Sequence, residues 1–237
     1  MLHRLVAAAA IAGIAAGLLL TAIQQIEIAP LIRAAESMEA SRIAPAAASI
    51  GHATGWSPQP GWQRLAATAA TNVVLAVGYG LLLGAAMSLR RQSGWRRGLL
   101  WGIAGYAVFF VAPALGLPPE LPGGLSAPLA TRQLWWVATV GASAAGCWLA
   151  AFAQRPILRI AGLALTAAPH LIAAPLSSSE GSADAGLFVG ASYLANAALW
   201  TTLGAVVGLL AMPGSPRRVV EPDHSPRAAE RGALPPR

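Results

Sequence analysis

GLLWGIAGYAVFFVAPALGLPPELPGGLSAPLATRQLWWVATVGASAAGC, residues 98–147, decides the fold. Residues 98–117 and 134–152 are apolar, and each run of about 20 residues matches the thickness of a bilayer core at a rise of ~1.5 Å per residue. The join between them, Leu117-Pro118-Pro119-Glu120-Leu121-Pro122-Gly123-Gly124, breaks helix repeatedly and carries a carboxylate, Glu120. It is followed by Arg132-Gln133-Leu134-Trp135-Trp136, a basic residue and a Trp pair of the kind that anchors at headgroup depth. The stretch reads as a transmembrane hairpin whose turn forms one wall of a polar outer vestibule.

Composition extends this reading to the whole chain. A hydrophobic fraction of 56%, 11% charged residues and a mean hydropathy of +0.58 lie outside the range of a soluble domain of 237 residues. The net charge of +7 is not a nucleic-acid footprint, because the basic residues fall in short connections between apolar runs. All 16 of them are Arg, which excludes a Walker-type phosphate loop with its Lys and any Lys Schiff base. The single Cys147 lies inside an apolar run and has no partner for an intrachain disulfide.

Working outward, the spacing predicts an all-α polytopic membrane helix bundle with about six transmembrane helices, at 5–23, 65–89, 98–117, 134–152, 157–176 and 186–212. Together they make one transmembrane unit, residues 1–212. No small-x-small cleavage site closes the first run, so it is taken as a span and not a removed signal. A long polar connection, 24–64, is expected to lie over the outer membrane surface, and 213–237 reads as a disordered basic cytoplasmic tail. Arg4, Arg90, Arg91, Arg96, Arg97, Arg155, Arg159, Arg217, Arg218, Arg227, Arg231 and Arg237 fall on one side and only Arg33, Arg42, Arg64 and Arg132 on the other. The positive-inside rule then puts both termini in the cytoplasm.

The same pattern hints at three parallel helical hairpins. Ile11-Ala12-Gly13, Ile103-Ala104-Gly105 and Ile160-Ala161-Gly162 open the three outward-running helices, and Pro30, Pro113 and Pro169 lie beyond them. Gly13/Gly17, Gly80/Gly84, Gly98/Gly102 and Gly204/Gly208 have the spacing that lets helices approach closely.

Polar groups within the spans gather in the outer half. His170 lies about two-thirds of the way out along the fifth span, Asn72 and Asn196 enter the second and sixth from outside, and Gln24 and Gln25 end the first. Glu27, Glu36 and Glu120 come from the outer connections. Pro113, Pro169 and Pro175 deprive the carbonyls of Phe109, Leu165 and Leu171 of their helical donors, which a bilayer tolerates only where protein or a water-filled cavity satisfies them. Imidazole, amide oxygens, carbonyls and carboxylates form a mixed N/O set suited to a borderline divalent metal such as cobalt, nickel or zinc. The candidate metal-contacting residues are therefore His170, Gln24, Gln25, Glu27, Glu36 and Glu120, with Arg132, Asn72, Asn196, Pro113 and Pro169 shaping the vestibule. The plainer structural reading makes His170 a hydrogen-bonding residue, Asn72 and Asn196 interhelical glue, and Glu120 with Arg132 a surface ion pair. His3, His52 and His224 fall outside the spans with no ligand spacing around them.

Several of these stretches together, LLLTAIQQ (18–25), Ala35-Glu36, RGLLWGIAG (97–105), APALGLPPELPG (112–123), RQLWWV (132–137) and PHLIAAP (169–175), resemble the CbtA family of cobalt transporter subunits. The resemblance implies a bacterial inner-membrane component of cobalt uptake, linked to cobalamin supply, with Co²⁺ as transported ion and no permanently bound cofactor. It also implies a partner, a small single-span CbtB protein with a His-bearing metal motif, and no enzymatic activity. Ni²⁺ asks for nearly the same ligands. Two other readings use the same residues. One is a non-transporting membrane scaffold subunit. The other is an intramembrane serine peptidase built on Gly190-Ala191-Ser192 and His170, although Tyr193 stands where a glycine is expected and the His precedes the Ser.

Overall fold

A backbone that crosses hydrocarbon finds no water to bond, so each apolar run must satisfy its own N–H and C=O groups, and here each does so as a helix. The computed structural model describes residues 2–43, 58–122, 127–172, 174–175 and 183–210. The elements in order are α1 (Leu2–Ile23), a π-helical turn (Gln24–Ile28), α2 (Ala29–Ile43), α3 (Trp62–Leu89), α4 (Trp95–Tyr106), a second π-helical turn (Ala107–Val111), α5 (Ala112–Gly116), α6 (Leu129–Phe152), α7 (Pro156–Ala167), a 3₁₀ turn (Ala168–Leu171) and α8 (Ala183–Leu210). Among the described residues, five helical stretches are long and apolar enough to cross a membrane: Leu2–Ser41, Trp62–Leu89, Trp95–Gly116, Leu129–Phe152 and Asp184–Leu210. A sixth apolar stretch, Pro156–Leu171, is shorter. The chain is a multi-pass helix bundle.

Lipid tails are as apolar as the side chains they touch, so the bundle is held by close packing and hydrogen bonds more than by escape from water. The glycines set the contacts. Gly13 and Gly17 of α1 lie against Val77 and Val73 of α3, and Gly80 and Gly84 of α3 lie against Ala9 and Leu5 of α1, an antiparallel pair. Gly98 and Gly102 of α4 meet Gly204, Gly208 and the Trp200 backbone of α8, and the Gly94 N–H donates to the Gly208 carbonyl at 2.8 Å. Gly146 of α6 faces Gly162 and Thr166 of α7. Helices α1, α3, α4 and α8 share one core, which includes Ala12, Ala16, Ala76, Leu83, Met87, Leu199, Trp200, Leu203 and Val207. The α6–α7 pair is joined to it through α5 and the second π turn. At the inner end Trp101 packs on Trp148 and Phe152, with the Arg90 guanidinium 4.2 Å from the Phe152 ring centre.

Each outward-running helix leaves α geometry next to a proline. The first π turn ends two residues before Pro30, the second two residues before Pro113, and the 3₁₀ turn contains Pro169. Proline has no N–H for the carbonyl four residues back, and its ring collides with that carbonyl. Widening or tightening one turn relieves the collision without ending the helix. The glycines of the three Ile-Ala-Gly triplets are all contact points: Gly13 on α3, Gly105 on the Trp200 ring, and Gly162 on α6.

Several boundaries differ from those expected. The connection read as a long outer loop over 24–64 is helical as far as Ile43, because residues 29–43 hold Ala, Leu, Ile, Glu, Met and Arg with no glycine, and the π turn absorbs Pro30. Residues 44–57, including His52 and Trp56, lie outside the described residues, as do Glu180, His224 and the tail. The fifth span, expected over 157–176, is helical only to Leu171, and Ile172 is already extended at φ −99°, ψ 131°. The fourth span, expected from residue 134, begins earlier, at Leu129, so Arg132 and Gln133 lie in the opening turns of α6.

Candidate functional site

The outer half of the four-helix group holds a polar cluster on three side chains. Asn72, ten residues into α3, is 7% exposed and donates through Nδ2 to the Thr21 hydroxyl at 2.9 Å and to Gln24 Oε1 at 2.7 Å. Thr21 is itself 5% exposed and donates to the Gly17 carbonyl at 2.8 Å. Thr21 and Gln24 are three residues apart on α1 and so share a face. The π turn that begins at Gln24 adds a residue to the helix at this level, a distortion that recurs at functional sites. Gln25 is half-buried and Glu27 exposed just beyond it. An amide nitrogen thus sits between two oxygens, with the Asn72 carbonyl oxygen on the same amide. Turning that amide over would aim three oxygens, Oδ1, Oε1 and Oγ1, at one point.

The other expected residues fall into separate places. Glu36 on α2 is paired with Arg64 at the start of α3 through two contacts of 2.6 and 2.9 Å. Its charge is answered locally. Glu120 lies 3.9 Å from Arg132 Nη2. Arg132 lines an open groove of about 520 Å³ with Leu117, Leu129, Gln133, Trp136 and Val137, so the vestibule wall read in the hairpin is mostly apolar. Pro113 is buried in α5 and Pro169 is half-buried in the 3₁₀ turn. His170, on that turn, is exposed, with its ring 6.1 Å from that of Trp135.

The polar residues therefore divide between the two packed groups. Gln24, Gln25 and Asn72 belong to α1, its π turn and α3, whereas the turn that carries His170 packs on α6 and α7. Among the described residues no three His, Cys, Asp or Glu side chains converge on one point. Asn196 donates to the Ser192 carbonyl one turn back in its own helix at 3.0 Å, and so that bond does not join two helices. Ser192 is on α8 and 7% exposed, in the opposite group from His170. Thr21, the third member of the cluster, and Arg64, the partner of Glu36, were not expected. The three-residue step from Thr21 to Gln24 was the available signal for the first, and spacing held none for the second.

A family model described as probable cobalt transporter subunit (CbtA) matches residues 2–212, from the start of α1 to just past the end of α8. The chain belongs to the CbtA family. No curated protein and no solved structure matches it. Membership makes the chain a probable subunit of a cobalt transporter, with Co²⁺ fitting as the transported ion. The polar cluster, whose hydrogen bonds join α1 and its π turn to α3 inside the bundle, is then the feature that most needs a role.

Proposed function

We propose that the chain carries Co²⁺ inward across a bacterial inner membrane, driven by the membrane potential, with a small single-span CbtB-like subunit as its partner. The observation that carries this reading is the Gln24–Asn72–Thr21 cluster, two buried polar side chains and a half-buried one in the outer half of a mostly apolar bundle beside a π turn. Groups so placed are expensive in a membrane and mark ion pathways.

Glu27 and Gln25 stand outside the cluster and would meet the cation first. The cluster then takes it after partial loss of water, with the Asn72 amide turned over. Three neutral oxygens hold cobalt weakly, and weak holding suits conduction, since the ion must leave as readily as it arrives. Discrimination for cobalt needs softer donors, and the partner's histidines would supply them. His170, exposed beside Trp135, is the donor of this kind that the chain itself offers on the α6–α7 side. Glu36 and Glu120, held by Arg64 and near Arg132, would act on the approaching cation through their neighbours' fields more than by direct contact.

The potential suffices as an energy source. A divalent ion crossing about 100 mV, inside negative, gains about 2 × 2.3 kcal/mol, enough for roughly a thousandfold accumulation. Metal analysis of cells expressing the chain with its partner tests the proposal. Cobalt content rises above that of cells without the chain, and His170→Ala lowers it. Equal content in His170→Ala cells removes that residue from the path, and equal content without the chain overturns the proposal.

A further inference from the structure

We infer that Tyr79, Phe109 and Trp200 form the layer that closes the cation path on the cytoplasmic side of the polar cluster. The inference rests on the reading of that cluster as the cation site. Tyr79 lies seven residues inward from Asn72 on α3, about 10 Å along the helix. Its ring centre is 4.7 Å from that of Trp200 and 5.2 Å from that of Phe109, and Phe109 stacks on Trp200 at 5.3 Å and 16°. Three rings from α3, α8 and the second π turn thus make a closed triangle.

The fourth side of the group is α1, where Ala12 and Ala16 are fully buried. Trp200, 1% exposed, is held from behind by Gly105, where even a methyl group would strike its ring. Further inward the core of this group continues with Leu83, Met87, Leu203 and Val207, all apolar. A partly hydrated cation that leaves Asn72 meets, in order, an aromatic plug and then aliphatic side chains, and such an apolar constriction blocks ions by excluding their water.

One of the three rings stands on backbone suited to move. Phe109 is the middle residue of the π turn Ala107–Val111, four residues before Pro113. Sliding the wide turn one step along the helix, which keeps the Pro113 collision relieved, shifts the residues it passes by one position and rotates them by about 100°. That rotation would swing Phe109 off Trp200 and Tyr79 and open the triangle. Tyr79 and Trp200 sit in the interiors of regular helices and stay in place.

A thiol placed at the cluster reads the layer without any need for cobalt. In a background carrying Cys147→Ala, which removes the free thiol, Thr21→Cys is exposed to a membrane-impermeant methanethiosulfonate added on the cytoplasmic side of inside-out vesicles. With the layer intact the thiol is protected. Phe109→Ala removes two ring contacts and Tyr79→Leu removes two, and each speeds labelling by about tenfold or more. The two variants are read separately, so failure of one to fold leaves the other. Labelling of Thr21→Cys that is fast with the layer intact, or unchanged in folded Phe109→Ala and Tyr79→Leu protein, overturns the inference. Labelling that responds to both variants while protein with Thr21 intact moves no Co²⁺ upholds the layer and sinks the cobalt reading instead.

Discussion

Replacing Asn72 by Leu lowers cobalt accumulation by about a hundredfold, equivalent to about 2.7 kcal/mol on the barrier, while the bundle stays folded. The two side chains share one branched shape and the same heavy-atom count, so the change removes chemistry more than it alters shape. Thr21 keeps its bond to the Gly17 carbonyl, and Gln24 is half-buried and can turn toward water, so neither is stranded. Hydrogen bonds of this kind between membrane helices contribute about 0.6 kcal/mol each, and two of them do not decide the fold. For the ion the loss is larger. Without the Asn72 amide the cluster has one fewer oxygen, and an isobutyl group stands where the cation would sheds water. Metal analysis of cells with matched expression reads the first half of the expectation, and elution of the detergent-solubilised protein as one sharp species reads the second. Accumulation within about twofold of wild type would take Asn72 out of the path.

The second large effect is on the fold. Gly102→Leu on α4 should abolish folded protein, with a cost of about 3 kcal/mol or more. A Cβ there would collide with the Trp200 carbonyl and crowd Gly204 Cα, and backbone atoms of a helix cannot step aside as a flexible side chain can. The α4–α8 contact depends on this closeness along its length, through Gly98, Gly102, Gly204 and Gly208. Separating the two helices would also release Trp200 from Gly105 and with it the aromatic layer. Gly141→Leu on α6, where nothing lies within 4 Å of the added atom, is the matched control. The measurement is the yield of monodisperse protein after extraction; an equal yield for the two variants would mean that α4 and α8 can part without loss of the bundle.

Much of this architecture is legible in the sequence. The four glycine pairs all lie at helix contacts, because in lipid a missing side chain is one of the few ways to bring backbones together. The three prolines beyond the Ile-Ala-Gly triplets each mark a distorted turn, because the missing N–H acts through local geometry. Neither signal depends on which helix is the neighbour. What the spacing could not supply was the pairing. The stretches Trp95–Gly116 and Leu129–Phe152 follow one another in the chain, yet α4 packs chiefly on α8 and α6 on α7. That exchange puts Phe109 beside Trp200, and it separates His170 from Gln24.

Polarity also misled in one direction. Residues 24–43 are less apolar than the run before them and read as loop, although their composition favours helix and the distortion at Pro30 costs only one widened turn. Asn196 looked like a link between helices, but its donor reaches a carbonyl four residues back, a partner any helix provides. Arg64 could not be assigned to Glu36 because 28 residues separate them in the chain. The ion pair forms only because α2 continues as helix and returns the carboxylate toward the start of α3.

The account as a whole claims that a divalent cation moves through this chain's own bundle, past Asn72, under an electrical gradient. Purified protein, with its partner, in lipid vesicles holding an inside-negative potassium diffusion potential puts that claim to the test. Cobalt should accumulate inside the vesicles, fall to the level of protein-free vesicles when the potential is collapsed, and be lost with Asn72→Leu. Accumulation that is unaffected by both the potential and the substitution, or no accumulation above protein-free vesicles, would contradict it.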